Sequence, residues 1–282
     1  MHLIKKLFLL SIVLFTFNAV AAKVDTLSVK STCMNKTIRN IVILPNSYFY
    51  SKHNFPVVYL LHGAGDDYKG WLEIAPELVQ YADQYNFIIV CADGGGSSWY
   101  FDSPVDKTVR YETYISKELV ATVDINYRTI TDKKGRAISG LSMGGHGAFY
   151  LAFKHQDVWG AAGSMSGGLD IRPFAGKWDL NYRLGTIEDH KENWEKNTVI
   201  NLLPLIEKKS LKIIFDCGVD DFFYAVNVKV HEKMTEKKIP HEFYSLPGGH
   251  TPAYWRNSIK KHIAFFKEYF NQQNTAATKM ND

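Results

Sequence analysis

The chain has 282 residues, 46% of them hydrophobic and 22% charged, enough apolar material for the core of one large α/β domain or two small ones. Its 33 Lys and Arg against 29 Asp and Glu give a net charge of +4, with no basic block of the kind that tracks nucleic acid, so no nucleic-acid partner is expected. The three cysteines, Cys33, Cys91 and Cys217, are an odd number and describe no disulfide framework, and no CxxC or His-rich spacing points to a metal.

Residues 1–22 have the three parts of a secretory signal. Lys5 and Lys6 supply the positive start, residues 7–17 are apolar apart from Ser11 and Thr16, and Asn18-Ala19-Val20-Ala21-Ala22 offers small residues for cleavage after Ala21 or Ala22. The apolar run is far short of the ~20 residues that span a bilayer. The segment is therefore excluded from the fold, and the expectation is a periplasmic or secreted protein without a membrane span after its removal.

Residues 37–44 alternate as a half-buried strand should. Val57-Val58-Tyr59-Leu60-Leu61 is a short continuous apolar run ending in the turn His62-Gly63-Ala64-Gly65, the pattern of a buried parallel strand. A helix is predicted over residues 74–85. The next buried strand, Phe87 to Cys91, closes on Asp93-Gly94-Gly95-Gly96. A helix over 111–123 leads to a short strand at Ala137-Ile138, then Gly140-Leu141-Ser142-Met143-Gly144 and a helix to Lys154. Strands are predicted at 160–166, 213–215 and 241–246, and helices over 222–237 and 252–270. Strands alternating with helices indicate an α/β fold, a mostly parallel sheet of about eight strands with helices on both faces. Residues 167–206 lack a clear period and read as an insertion over one sheet edge, within a single domain over 23–271; residues 272–282 read as a flexible tail.

The G-x-S-x-G pattern at Gly140–Gly144 follows a strand and opens a helix, the context of the nucleophile elbow of an α/β-hydrolase fold. A serine hydroxyl needs a base to take its proton, and in this fold the order is Ser, acid, His. Among the later histidines, His231 lies mid-helix, His241 starts a strand and His262 lies in the last helix, where with Lys260, Lys261 and Lys267 it reads as part of the wet face. His250 alone sits in a loop directly after the last strand, at the sheet edge where Ser142 emerges. The acid belongs in the loop after the preceding strand, where Asp221, Asp220 and Asp216 are the candidates, Asp221 first among them. The donors for a developing oxyanion are expected from the N–H of Met143 and from Ala64, with Gly63 in reserve.

With these residues in place, the chain resembles the esterase D family of α/β-hydrolases, which includes S-formylglutathione hydrolases, feruloyl and acetyl esterases, tributyrin-type esterases and mycolyltransferases. The resemblance rests on Val57 to Gly63, Asp66-Asp67-Tyr68-Lys69-Gly70-Trp71, Gly140 to Gly147, Gly218-Val219-Asp220-Asp221-Phe222-Phe223 and Gly248-Gly249-His250. It implies Asp221 as the acid and Ala64 and Met143 as oxyanion donors. It also implies that Asp93 to Tyr100 is the loop beside the active site. Trp99, Tyr100 and Trp178 are candidates to stack on a sugar or phenolic ring, with core packing as the plain alternative. His146 is expected as helix packing, and Glu112 and Glu118 as structural carboxylates. Cys91 and Cys217 are expected as buried free thiols. The function this implies is a secreted serine esterase acting on acyl, acetyl or feruloyl, esters of plant-type carbohydrate without a cofactor. The partner is then a small-molecule or oligosaccharide ester. The alternatives are an acyltransferase with a sugar alcohol as acceptor and a non-catalytic carbohydrate-binding relative.

Overall fold

The computed structural model describes residues 22–207 and 210–281. The expected signal segment therefore lies, Ala22 apart, outside the described residues. The strands are β1 (Lys23–Ser31), β2 (Lys36–Leu44), β3 (Val57–Leu61), β4 (Ile88–Ala92), β5 (Arg136–Gly140), β6 (Ala161–Met165), β7 (Lys212–Gly218) and β8 (Glu242–Leu246). They form one sheet in the order β1-β2-β4-β3-β5-β6-β7-β8. Only β2 runs against its neighbours; the remaining pairings from β4 to β8 are parallel.

The central strands are buried on both faces, and the two-residue period of a strand sorts their side chains into two cores. Val57, Tyr59 and Leu61 face one core with Phe149, Trp159 and Val123. Val58 and Leu60 face the other with Leu78, Ala82, Ile259 and Phe266. The helices supplying these partners are α1 (Gly70–Ile74), α2 (Leu78–Tyr85), α3 (Tyr111–Thr113), α4 (Val120–Asn126), α5 (Met143–Lys154), α6 (Leu180–Leu184), α7 (Lys191–Asn197), α8 (Val199–Leu202), α9 (Tyr224–Glu236) and α10 (Pro252–Asn281).

Four details depart from the sequence pattern. The helix expected over 74–85 begins only at Leu78, as α2, and Ile74 instead ends α1, because the ring of Pro76 excludes Ala75 from helical geometry. Residues 114–119, between α3 and α4, wind as a π-helix instead of an α-helix. Strand β1 has no counterpart in the sequence pattern: only Val29 and Ser31 of its nine residues are buried, so it carries too little apolar alternation to read as a strand. Finally, α10 runs on to Asn281, past Phe270 where its apolar stripe ends. His262, expected on the wet face with Lys260, Lys261 and Lys267, is fully buried, because it shares the stripe of Ile259, Ile263 and Phe266. Residues 167–206 fold as α6, α7 and α8 joined by turns, with Leu180, Leu184, Trp194 and Val199 buried in the core on the α5 side.

Candidate active site

Strand β5 delivers the chain to a sharp elbow. Ser142 sits at φ 54°, ψ −117°, a region that a residue with a side chain enters only under constraint. The constraint is visible on both sides: the Ser142 N–H donates to the Met165 carbonyl at the end of β6 (2.9 Å), and α5 begins at once with Met143. Gly144 lies against the Leu61 carbonyl, where an added Cβ would collide with it. That contact explains the second glycine of the pattern.

The Ser142 hydroxyl meets His250 Nε2 at 2.8 Å, and His250 Nδ1 meets Asp221 Oδ2 at 2.8 Å. The carboxylate can only accept, so Nδ1 carries the hydrogen and Nε2 is left as acceptor for the Ser142 O–H. The other oxygen of Asp221 accepts the Phe223 N–H at 2.8 Å, which locks the carboxylate in its turn. Asp221 is buried, whereas Asp220 is exposed and Asp216 is committed elsewhere. Asp216 accepts from Tyr254 Oη (2.6 Å), Ser258 Oγ (2.5 Å) and His262 Nε2 (2.8 Å).

Two backbone donors flank the serine. The Met143 N–H is one of the unsatisfied donors at the start of a helix. Neither it nor the Ala64 N–H donates to any acceptor among the described residues. The turn after β3 abuts the elbow: a Cβ on Gly63 would lie 3.6 Å from that of Ser142.

Three rings surround His250. Phe222 lies 4.3 Å away between centroids, Trp255 stands edge-on at 4.9 Å and Phe223 at 5.5 Å. Phe222 is 50% exposed and stacks on Trp178 at 5.6 Å, which in turn contacts Phe174 at 5.8 Å. Trp99 and Tyr100, expected to offer a face to a ligand, are instead only 1% and 0% exposed. Both adopt a positive φ, 54° and 61°, and this left-handed turn folds the rings inward. Trp99 lies edge-on to His146 at 5.4 Å and donates its Nε1–H to the Trp178 carbonyl (3.0 Å). The Tyr100 hydroxyl donates to the His62 carbonyl (3.0 Å). Of the three expected aromatics only Trp178 keeps part of its surface open, and Phe222 takes the place nearest the histidine. Its signal in the sequence was a large apolar residue directly after the acid in the turn that carries it.

The other titratable groups play no part in this chain. His146 is fully buried, donates through Nε2 to the Asn197 carbonyl (3.0 Å), and burial lowers its pKa to about 4. Burial would raise Glu112, but hydrogen bonds from His155, Lys154 and Tyr150 bring it down to about 2. Glu118, likewise lowered against its burial, accepts from Ser31 and from the N–H groups of Thr32 and Cys33. Cys91 and Cys217 are buried free thiols, and burial pushes Cys91 up to about 12. No group of three or more His, Cys, Asp or Glu side chains among the described residues is arranged to hold a metal ion.

An elbow serine at the carboxyl edge of a mostly parallel sheet defines an α/β-hydrolase fold, and known structures agree. A fluorophosphonate-binding serine hydrolase of Staphylococcus aureus, FphF, superposes with a TM-score of 0.78 at 21% identity, covering 88% of this chain and 99% of its own. A ferulic acid esterase superposes with a TM-score of 0.76 at 28% identity over 88% of this chain and 99% of its own. The family described as "Putative esterase" matches residues 31–266, and the chain belongs to that esterase family. Among curated proteins, Esterase MT1326 of Mycobacterium tuberculosis is 29% identical over 74% of this chain and 51% of its own length. The chain thus spans about half the length of that relative. The diacylglycerol acyltransferase/mycolyltransferase Ag85B of Mycolicibacterium smegmatis is 28% identical over 72% of this chain and 74% of its own.

Proposed function

We propose that this chain is an exported serine esterase in which Ser142 is the nucleophile, His250 the general base and Asp221 the residue that orients the imidazole. The observation that carries the reading is the unbroken chain from Asp221 Oδ2 through His250 to a strained, elbow-borne Ser142 hydroxyl, each link 2.8 Å. Ser142 Oγ attacks the ester carbonyl as His250 Nε2 takes its proton. The N–H groups of Met143 and Ala64 stabilise the oxyanion, and the imidazolium returns the proton to the departing alcohol. Water then repeats the cycle on the acyl-enzyme and frees the acid. The chemistry is complete without a cofactor. Export rests on the signal pattern of residues 1–22.

The substrate reading is an acyl ester of plant-type carbohydrate, with the aromatic acyl or alcohol group lying on the shelf of Phe222 and Trp178. That exposed stack beside His250 supports a planar group at this position, and the ferulic acid esterase among the structural relatives supports it further. The second reading, acyl transfer to a sugar hydroxyl through the same serine, is favoured by the mycolyltransferase relative. Hydrolysis of 4-nitrophenyl acetate, methyl ferulate and acetylated xylan, each with and without a sugar acceptor, separates the readings. Free acid as the only product supports the esterase, and a new sugar ester supports transfer. Inertness toward every ester would leave a non-catalytic carbohydrate-binding relative.

A further inference from the structure

We propose that His62 is a positioning residue that aims the Ala64 N–H at the developing oxyanion; this inference rests on the reading of Ser142 as nucleophile. His62 ends the apolar run of β3, and its ring is buried rather than turned to solvent. Its two nitrogens are held by two backbone groups. Nε2 lies 2.9 Å from the Gly94 N–H, which can only donate, and Nδ1 lies 2.8 Å from the Gly63 carbonyl, which can only accept. These partners leave one arrangement: Nε2 accepts and Nδ1–H donates.

The consequence lies in the peptide unit that His62 grips. The Gly63 carbonyl and the Ala64 N–H belong to the same planar trans peptide and point in opposite directions. Drawing the carbonyl toward the imidazole therefore turns the N–H away from it. That N–H has no acceptor among the described residues, and its turn packs against Ser142. Among the described residues the Asp66 N–H also reaches the Gly63 carbonyl, at a longer 3.4 Å. The turn is braced a second time from the loop after β4, because Gly65 N–H donates to the Gly96 carbonyl (2.6 Å) and Tyr100 Oη donates to the His62 carbonyl (3.0 Å). These two bonds hold the turn in place, and the imidazole sets the rotation of the one peptide that matters. Burial of Tyr100 thereby acquires a purpose other than ligand stacking.

The experiment compares the wild type with His62→Asn, His62→Gln and His62→Leu. An asparagine amide can present a donor where Nδ1 stood, whereas glutamine reaches the Nε2 position instead. A fluorophosphonate probe with mass spectrometry first asks whether wild-type Ser142 is the reactive serine, which reports on the nucleophile independently of His62. Steady-state kinetics on 4-nitrophenyl acetate, inhibition by a trifluoromethyl ketone and melting temperatures then follow. Loss of one oxyanion donor costs roughly a hundredfold or more in kcat, so His62→Leu and His62→Gln should lose about that much with KM within about threefold. His62→Asn should recover at least about tenfold over His62→Gln, and trifluoromethyl ketone affinity should fall in step with kcat. Should His62→Leu fail to fold, the Asn-to-Gln ratio carries the test. Equal losses in Asn and Gln, or a loss expressed only in KM or melting temperature, would overturn the proposal. Absence of label on Ser142 would overturn the nucleophile reading and the proposal with it.

Discussion

The molecule contains two Ser-His-Asp hydrogen-bond chains built from the same parts of the fold. Ser142, just past β5, meets His250 and Asp221. Ser139, inside β5, meets His262 Nδ1 at 2.9 Å, and His262 Nε2 meets Asp216 Oδ2 at 2.8 Å. The residue types and distances match, but the settings do not. Ser139, His262 and Asp216 are all fully buried, and Gly163 packs so closely on Ser139 and His262 that a Cβ there would collide with both. No carbonyl has room to approach. The tautomers are also opposite, with the hydrogen on Nε2 in His262 and on Nδ1 in His250, because each imidazole gives its hydrogen to its own carboxylate. The buried chain, with Tyr254 and Ser258 also on Asp216, fastens α10 to β5 and β7. The other chain ends on a serine held at positive φ and reachable from solvent. Access and backbone geometry, rather than the hydrogen-bond pattern, distinguish the proposed nucleophile from the brace.

Substitutions at equivalent positions break this pairing most sharply. Ser142→Ala should lower kcat by roughly ten-thousandfold or more with folding intact, whereas Ser139→Ala should keep kcat within a few-fold and lower the melting temperature. More than a tenth of wild-type activity in the first variant would sink the assignment. Next in size, Asp221→Asn should cost on the order of ten-thousandfold in kcat, the scale of loss when a serine protease is left with the wrong imidazole tautomer. Exposed Asp220→Asn should differ from it by at least about a hundredfold in kcat. Asp216→Asn should register chiefly as stability, about 3 kcal/mol, since it leaves buried donors facing a poorer acceptor. Kinetics and chemical denaturation on the three variants rank them directly.

A third imidazole extends the comparison to one with no carboxylate partner. His146 has a native pKa lowered by burial to about 4, against roughly 6.5 in the unfolded chain. Between those values the unfolded chain binds a proton that the native protein refuses. Its contribution, about 3 kcal/mol, is therefore complete above the unfolded value and lost as pH falls toward 4. Glu112, at about 2 against a reference of 4.5, acts in a lower window, its contribution fading as pH falls from 4.5 toward 2. Urea denaturation from pH 7 to 4 should show the first loss, and His146→Gln, which can retain a donor to Asn197, should flatten it. The smallest effect concerns the shelf. Phe222→Ala should reduce kcat/KM for an aryl acyl ester about three- to tenfold and for the acetyl ester less, given the modest worth of one ring contact. Equal effects on both esters would remove the shelf from substrate recognition.

Much of this molecule was legible before its fold. The G-x-S-x-G elbow, the loop histidine after the last strand and the apolar runs of β3 and β4 are local patterns, and each stands where its period and its glycines put it. The hydrogen bonds that surround the half-buried Glu112 and Glu118 also agree with their reading as structural carboxylates. The choice among Asp216, Asp220 and Asp221 was not local, since all three lie within one strand end and its turn. The packing of α10 occupies Asp216, and the turn exposes Asp220 while burying Asp221 against His250. Trp99 and Tyr100 looked like ligand platforms because sequence gives the size of a ring and not its direction; two consecutive residues at positive φ turned them inward. His262 looked solvated among lysines because a helix places side chains by angle, and only the neighbouring sheet decides which angle is buried. Sequence by itself determined what could react, because reactive groups and strained turns are written in a few adjacent residues. Tertiary structure decided which of three aspartates meets the loop histidine and which aromatic rings stay open beside it, because packing between segments distant in the chain sets both.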